Sequence, residues 1–168
     1  MKKIILVLTF IVLILCIMKK ENTEIPEASI RFRVLANTNE ELDQDIKKII
    51  TEKVLEKLEP TKNFTNINQT RYYLKNNLPL LEKTIDNTLK DNGISATYEI
   101  NYGQNLFPEK IYNNKVYEEG EYESLVITLG KGEGDNFWCV LFPPICFLDD
   151  NENIEYKSWI KEIIDKYF

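Results

Sequence analysis

The order of apolar patterns along the chain predicts an α+β fold, in which helices pack on a mostly antiparallel sheet. One alternating segment comes first, two segments with helical spacing follow, and a run of strand-like segments comes next. Segregated strands and helices are typical of α+β domains, whereas regular alternation would indicate a parallel α/β sheet. The sequence therefore predicts one two-layer domain over residues 30–168, preceded by an N-terminal hydrophobic helix for export or anchoring.

The segment IRFRVLA, residues 30–36, predicts the first strand of this domain. Its apolar residues at even positions face one way, while Arg31 and Arg33 face the other, which is the pattern of a half-buried strand. Two readings of the arginines stay open. They are either exposed charges on the outer face of the sheet or part of a contact surface.

Two helices are predicted to follow this strand. Thr38 with Glu41 three residues later has the spacing of a capping box, so we expect the first helix to begin there and to end at Pro60. A second stripe of apolar residues predicts another helix, which Pro79 kinks or restarts and Gly93 ends.

The remaining strands are predicted in ATYEINYG, YESLVITLG and FWCVLF. The last of these, residues 137–142, has no polar position and is typical of an interior strand covered on both faces. Alternation places Trp138 and Phe142 together on one of those faces. The glycine-rich GKGEG opens a strand and not a helix, so it predicts a hairpin connection and not a phosphate-binding loop.

The final segment, IEYKSWIKEIIDKYF, has apolar residues at helical spacing. A terminal helix would carry them on one face: Ile154, Trp159, Ile160, Ile163, Ile164 and Tyr167.

Residues 1–20 differ from the rest of the chain. Paired lysines flank the apolar run at residues 4–18, which as a helix would be about 22 Å long, against a hydrocarbon core of about 30 Å. The segment is either a cleaved secretory signal or an uncleaved anchor with snorkelling lysines, and it contacts the membrane in both cases. Residues 21–29 are predicted to be a linker, and the domain after them lies outside the cytoplasm.

The charge of the predicted domain excludes nucleic acid as a partner. Residues 1–20 hold four lysines, which leaves 17 basic and 27 acidic side chains in the remainder, a net charge of −10. A field of that sign repels phosphate backbones and disfavours adsorption to anionic lipid.

The residue types present argue against an enzyme. The chain has no histidine, which removes the commonest general base, the usual nucleophilic pairs and the usual zinc ligand. We therefore expect no catalytic residues, no metal and no cofactor. The alternative is a cell-wall hydrolase that uses two of the acidic residues Glu133, Asp135, Asp149 and Asp150, because paired carboxylates can hydrolyse glycosidic bonds.

Cys139 and Cys146 are separated by six residues, with Pro143 and Pro144 between them. This spacing does not match a CxxC redox motif, and a zinc site would need further ligands. In an exported domain a structural disulfide is the prediction, because the prolines let the chain turn back. Two free buried thiols are the alternative, as in a strictly anaerobic source.

Several blocks of the chain resemble the stage II sporulation protein R family. GEGDNFWCVLFPPICFLD resembles its most recognisable signature, and three further blocks stand in the family's order: IRFRVLANTNEELDQDIK, FPEKIY and GEYESLVITLG. The resemblance implies a protein secreted from the forespore into the space between the forespore and mother-cell membranes, or anchored facing that space. It also implies that the protein activates a membrane-embedded aspartic protease, which processes the sigma-E precursor.

Under this reading, the residues around the cysteines are candidates for contact with the protease. Rigid aromatic and proline side chains lose little entropy on binding. The candidates are Trp138, Phe142, Pro143, Pro144 and Phe147, and in second place Arg31 and Arg33. For Trp138 and Phe142 the alternative is a place in the hydrophobic core.

Overall fold

The computed structural model of the protein describes residues 29–112, 115–117 and 119–147. These residues form two α-helices and six strands, with short 3-10 helices at Glu59–Asn63 and Ile145–Phe147. The elements in chain order are β1 (Ile30–Leu35), α1 (Glu41–Leu58), α2 (Ile67–Asp91), β2 (Tyr98–Phe107), β3 (Lys110–Tyr112), β4 (Lys115–Tyr117), β5 (Gly120–Leu129) and β6 (Asn136–Phe142). The strand, the two helices and the run of strands follow in the predicted order.

The two helices pack against a mixed four-stranded sheet with the strand order β2-β5-β1-β6. The pairs β2–β5 and β1–β6 are antiparallel, but β1 and β5 are parallel. The fold is thus α+β, and the predicted antiparallel character holds for the outer pairs only. The parallel pair arises because the chain crosses through both helices and β2 before β5 returns beside β1. Strands β3 and β4 form a separate two-stranded sheet.

The hydrophobic core lies between the helices and the inner face of the sheet, which carries the even-numbered residues of β1. Full burial of each large apolar side chain contributes roughly 1.5–3 kcal/mol. The fully buried members are Ile30, Phe32, Val34, Ile50, Val54, Leu58, Leu74, Leu81, Ile85, Leu125, Ile127 and Leu141.

Strand β6 lies at the edge of this sheet. Among the described residues it pairs with β1 alone, so the prediction of an interior strand is wrong for this sheet. The run of apolar residues has another cause: Phe137, Cys139 and Leu141 belong to the core, while Val140 is buried on the opposite face. An edge strand that is buried on both faces has the same sequence pattern as an interior one.

The glycine-rich loop between β5 and β6 is a crossover and not the predicted hairpin. Because β1 separates β5 from β6, the loop must pass over the C-terminal end of β1. At Gly134 a Cβ atom would overlap the backbone carbonyl of Thr38, so the loop approaches the segment that follows β1 more closely than any residue with a side chain would allow. Gly130 has a φ of 55°, which also favours glycine.

The helix ends differ in part from the prediction. Thr38 does not cap α1 with Glu41; its hydroxyl accepts from the Glu40 N–H and donates to Asp43. A capping box does begin α2, where Asn66 and Gln69 bond each other's backbone N–H groups. From the sequence, the Asn- and Thr-rich residues 61–70 read either as a loop or as a frayed start of this helix.

The two prolines and Gly93 act differently on the helices. Helix α1 ends at Leu58 and Pro60 lies in the following 3-10 helix, close to the predicted end. Helix α2 continues through Pro79, so no restart occurs there. Gly93 ends α2 with a φ of 67°, and the Ile94 N–H donates to the Leu89 carbonyl in a Schellman motif.

Two predicted segments, the hydrophobic residues 1–20 and the terminal helix after Asp150, lie outside the described residues. No helix in the described part of the chain is long and apolar enough to cross a membrane.

Candidate partner-binding surface

The predicted contact residues fall into two groups on different sides of the sheet. Arg31, Arg33 and Trp138 lie on the outer face, opposite the helices, because they alternate with core residues of β1 and β6. Phe142 and Phe147 are half-buried and pack against the core on the helix side. The sequence had placed Trp138 and Phe142 on one face, and this prediction is wrong.

A β-bulge in β6 causes the difference. The register pairs Arg31 with Val140 but Ile30 with Phe142, so Leu141 is the extra residue. A bulge residue reverses the alternation of the residues that follow it. Leu141 and Phe142 therefore both face the core side, and no simple period-two reading of FWCVLF could have placed them.

A disulfide closes the turn that follows β6. Cys139 and Cys146 are bonded, as predicted from their spacing, with their Cα atoms 5.7 Å apart. The Phe142–Pro143 peptide is cis, and the Ile145 N–H donates to the Pro143 carbonyl over 2.7 Å. We call residues 143–147 the pinned turn.

Buried residues hold the inner side of the pinned turn, and its outer side is partly exposed to solvent. Cys139 is buried beside Phe32 in the sheet register, and Ile145 is buried in the turn itself. Pro143, Pro144 and Phe147 are half-buried, so each presents part of its ring to the surface. The turn is thus a short, apolar and preorganised surface.

The outer face carries arginines stacked among aromatic rings. The Arg31 guanidinium lies 3.4 Å from the Tyr122 ring centroid, and Arg33 lies 4.5 Å from the Trp138 ring centroid. Phe107 stands between them, 5.4 Å and 5.6 Å from the two guanidinium carbons. Each such cation–π contact contributes about 0.5–2 kcal/mol, depending on desolvation.

The arginines are therefore half-buried and not simply exposed charges. Burial lowers the pKa of Arg33 from its ordinary value, although an arginine remains protonated. Sequence reasoning missed Phe107 and Tyr122 as members of this group. Their place in the blocks FPEKIY and GEYESLVITLG was the available signal, but only strand pairing brings them beside β1.

A polar network ties the end of β1 to the crossover loop. The Asn37 side chain accepts from the Lys131 N–H over 3.0 Å and donates to Asp43 over 2.9 Å. The Asn37 carbonyl accepts from the Glu133 N–H over 3.0 Å. The hydroxyl of Thr38 donates to Asp43 over 2.6 Å and holds the pKa of that carboxyl below its ordinary value.

The network continues into helix α1. The Asn39 side chain accepts from the Asp135 N–H over 2.6 Å, and the Gln44 amide donates to Asn39 over 3.1 Å. The buried Lys47 ammonium donates to the Asp135 carbonyl over 2.9 Å, and burial lowers the pKa of Lys47. The blocks ANTNEELDQDIK and GKGEGDN, which are about 90 residues apart, thus form one rigid corner of the domain.

A second polar contact fixes α2 to the sheet. The Arg71 guanidinium donates to both carboxylate oxygens of Glu123, with distances of 2.7–3.0 Å, and the Tyr102 hydroxyl donates to Glu123 over 2.7 Å. Arg71 keeps the pKa of Glu123 below its ordinary value, whereas burial raises the pKa of Tyr102. Within the described residues, no three His, Cys, Asp or Glu side chains are grouped as metal ligands.

Comparison with known proteins identifies the family. The family model described as stage II sporulation protein R matches residues 26–152, which include every residue that the structure describes. The chain belongs to the stage II sporulation protein R family.

A curated relative supports this assignment. The stage II sporulation protein R of Bacillus subtilis (strain 168) is 40% identical over 134 residues, which cover 78% of this chain and 60% of that protein. The chain thus spans less than two thirds of the length of that relative. No solved structure matches the chain. The polar corner, the arginine–aromatic face and the pinned turn all lie inside the region that the stage II sporulation protein R model matches.

Proposed function

We propose that this protein is an exported sporulation signal that activates a membrane-embedded aspartic protease by direct contact, so that the protease processes the sigma-E precursor. In this proposal the chain has no catalytic role. It is secreted from the forespore, or anchored by residues 1–20, and acts in the space between the forespore and mother-cell membranes. Membership of the sporulation family supports the sporulation role.

The observation that carries the proposed mechanism is the pinned turn. A disulfide to buried Cys139 and the burial of Ile145 hold Pro143, Pro144 and Phe147 in one arrangement before any partner arrives. Preorganised rings of this kind lose little conformational entropy on binding. Binding hot spots are commonly aromatic side chains seated in a pocket of the partner.

Activation by contact requires a difference in affinity. A ligand shifts a partner between two states only if it binds one state more tightly, and a shift from 1% to 99% active takes about 5.5 kcal/mol of differential binding. One hot-spot side chain contributes about 2–4 kcal/mol. Loss of that amount at Phe147 should therefore lower the ratio of active to inactive protease about 30- to 900-fold, from 99:1 to between about 3:1 and 1:9.

Co-expression in a non-sporulating host tests the proposal. The full chain, the candidate protease and the sigma-E precursor are produced together, and precursor cleavage is followed by immunoblot. We expect cleavage to require the chain, to fall strongly with Phe147→Ala, and to persist with Tyr72→Ala. Tyr72 is the matched control because it is an aromatic side chain that is 74% exposed on α2 and belongs to neither the core nor the pinned turn. Equal cleavage with and without the chain would refute the proposal.

A further inference from the structure

The two edges of the four-stranded sheet differ in how they are protected from pairing with another strand. Strand β6 is seven residues long and contains the bulge at Leu141, and a bulge is one of the features that prevent edge-to-edge pairing. Strand β2 is ten residues long and pairs with β5 at every position without a register shift. Its sequence contains no lysine and no proline, the residues that most often protect an edge strand.

The direction of the backbone groups of β2 follows from one hydrogen bond. The Gly130 N–H donates to the Thr97 carbonyl over 2.8 Å, and these two residues continue the β2–β5 register as a hydrogen-bonded pair. Because hydrogen-bonded and non-hydrogen-bonded pairs alternate, the odd-numbered residues of β2 bond β5. The even-numbered residues from Tyr98 to Leu106 therefore direct their N–H and C=O groups to the outer edge, where no strand among the described residues pairs with them.

The side chains along this edge leave apolar surface for a further strand. Tyr98, Ile100 and Tyr102 are half-buried and pack against the core. Leu106 follows on the same face and is 63% exposed. Glu99 is the only charged residue of the strand. Unpaired backbone groups beside apolar side chains are the features that an added strand covers in β-augmentation.

The sequence of β2 is complementary to itself in the antiparallel direction. When Gly103 lies opposite Gly103 of a second copy, Ile100 faces Leu106 and Tyr102 faces Gln104. These even-numbered residues then form hydrogen-bonded pairs, with about eight backbone hydrogen bonds between the copies. The exposed Leu106 side chain gains an aliphatic neighbour with its Cβ about 5 Å away.

The odd-numbered residues are equally compatible with this register. Asn101 faces Asn105 of the second copy, so two amide side chains are opposite each other. Glu99 faces Phe107, so no like charges lie opposite across the two strands. An isologous interface requires one surface that is complementary to itself, and β2 meets this requirement.

We propose that two copies of this chain associate through β2, so that their four-stranded sheets continue as one sheet of eight strands about a two-fold axis at Gly103. The inference goes beyond the proposed function and does not depend on it. Because β6 lies at the far edge of each copy, the two pinned turns would be at opposite edges of the joined sheet.

A cysteine at the two-fold axis tests the register. In Gly103→Cys the two thiols belong to a non-hydrogen-bonded pair, whose Cα atoms are about 4.5 Å apart, within the range of a disulfide. A Cβ at Gly103 meets only an ordinary contact, so the variant should fold. Asn101→Cys is the matched control, because this residue is more exposed on the same face but would lie about 14 Å from its counterpart.

Both variants are made in the full chain with Cys16→Ser, which leaves the new cysteine as the only thiol outside the disulfide. The proteins are oxidised with copper phenanthroline in detergent solution and separated on a non-reducing gel. We expect Gly103→Cys to form the covalent dimer several-fold faster than Asn101→Cys.

Sedimentation velocity over a concentration series measures the association without a cross-link. Gln104→Pro removes an N–H that points to the outer edge and none that bonds β5, so the fold of each copy is kept. The dimer loses two hydrogen bonds, so its dissociation constant should rise about 10- to 100-fold, whereas Gln104→Ala should leave it unchanged. Leu106→Lys should also weaken the dimer, which keeps the test decisive if circular dichroism shows that Gln104→Pro does not fold.

Three outcomes would overturn the inference. The first is a chain that sediments as a monomer at every concentration. The second is equal cross-linking of Gly103→Cys and Asn101→Cys. The third is a dimer whose dissociation constant neither Gln104→Pro nor Leu106→Lys changes, because the contact would then lie elsewhere.

Discussion

Removal of the disulfide by Cys146→Ala should destabilise the protein by a moderate and calculable amount. The disulfide joins residues seven positions apart, and the chain-entropy relation for so short a loop gives about 2.5 kcal/mol. Cys139 stays buried as a small apolar side chain, so its own packing changes little. With a urea m-value of about 1–3 kcal/mol/M, the midpoint should fall by roughly 0.8–2.5 M.

The assay is urea unfolding of the full chain, followed by tryptophan fluorescence with and without reductant. The wild-type midpoint should fall on reduction to that of Cys146→Ala, and Cys146→Ala should not respond to reductant. Precursor cleavage should also decline in Cys146→Ala, because the pinned turn loses its attachment to β6. A wild-type midpoint that reduction leaves unchanged would refute the argument that this bond holds the turn.

Three further predictions concern the glycine crossover, the Glu123 contact and the exposed acids. Gly134→Ala should cost about 1–3 kcal/mol by overpacking against the end of β1, whereas Gly103→Ala, whose Cβ would meet only an ordinary contact, should change the urea midpoint little. The hydrogen bonds from Arg71 on α2 hold the pKa of Glu123 below its ordinary value of 4.5. This carboxylate therefore stabilises the fold above pH 4.5, and its contribution is lost as the pH falls through the lowered pKa. Glu123→Gln should therefore flatten the decline in urea midpoint between pH 7 and pH 3, and an equally steep decline would contradict this. Glu133→Gln should leave precursor cleavage intact, whereas a hydrolase that depends on this acid would lose activity.

Much of the fold follows from local patterns in the sequence. The alternation of IRFRVLA predicts β1, and the stripes of apolar residues predict both helices, because burial on one face sets the period of each element. The ends of the helices were less predictable than the helices themselves. Asn66 caps α2 from within a polar stretch that reads as a loop or a frayed helix start, and α2 continues through Pro79.

The topology could not be predicted in the same way. Whether β1 lies between β5 and β6 depends on pairings about 100 residues apart, and local period carries no information on them. The crossover loop and its glycines make sense only once that order is known. A hairpin was the simpler reading because neighbouring strands in sequence usually pair.

Among the candidate contact residues, too, only the features that depend on nearby residues in the chain could be predicted. The disulfide followed from the spacing and the expected compartment, because its two cysteines are only seven positions apart in the chain. The placement of Phe142 failed because one bulge residue reverses the alternation. The partners of Arg31 and Arg33, namely Phe107 and Tyr122, come from strands that only the folded sheet brings beside β1.

The proposal that the chain activates the protease by contact is tested most directly by titrating the full chain against the membrane-embedded protease. The candidate protease is placed in vesicles with the sigma-E precursor on one side, and the full chain is added to the other side. Contact through the pinned turn predicts that cleavage rises with chain concentration and saturates, with half-saturation moved to higher concentration by Phe147→Ala and not by Tyr72→Ala. Cleavage that is independent of the added chain would contradict it.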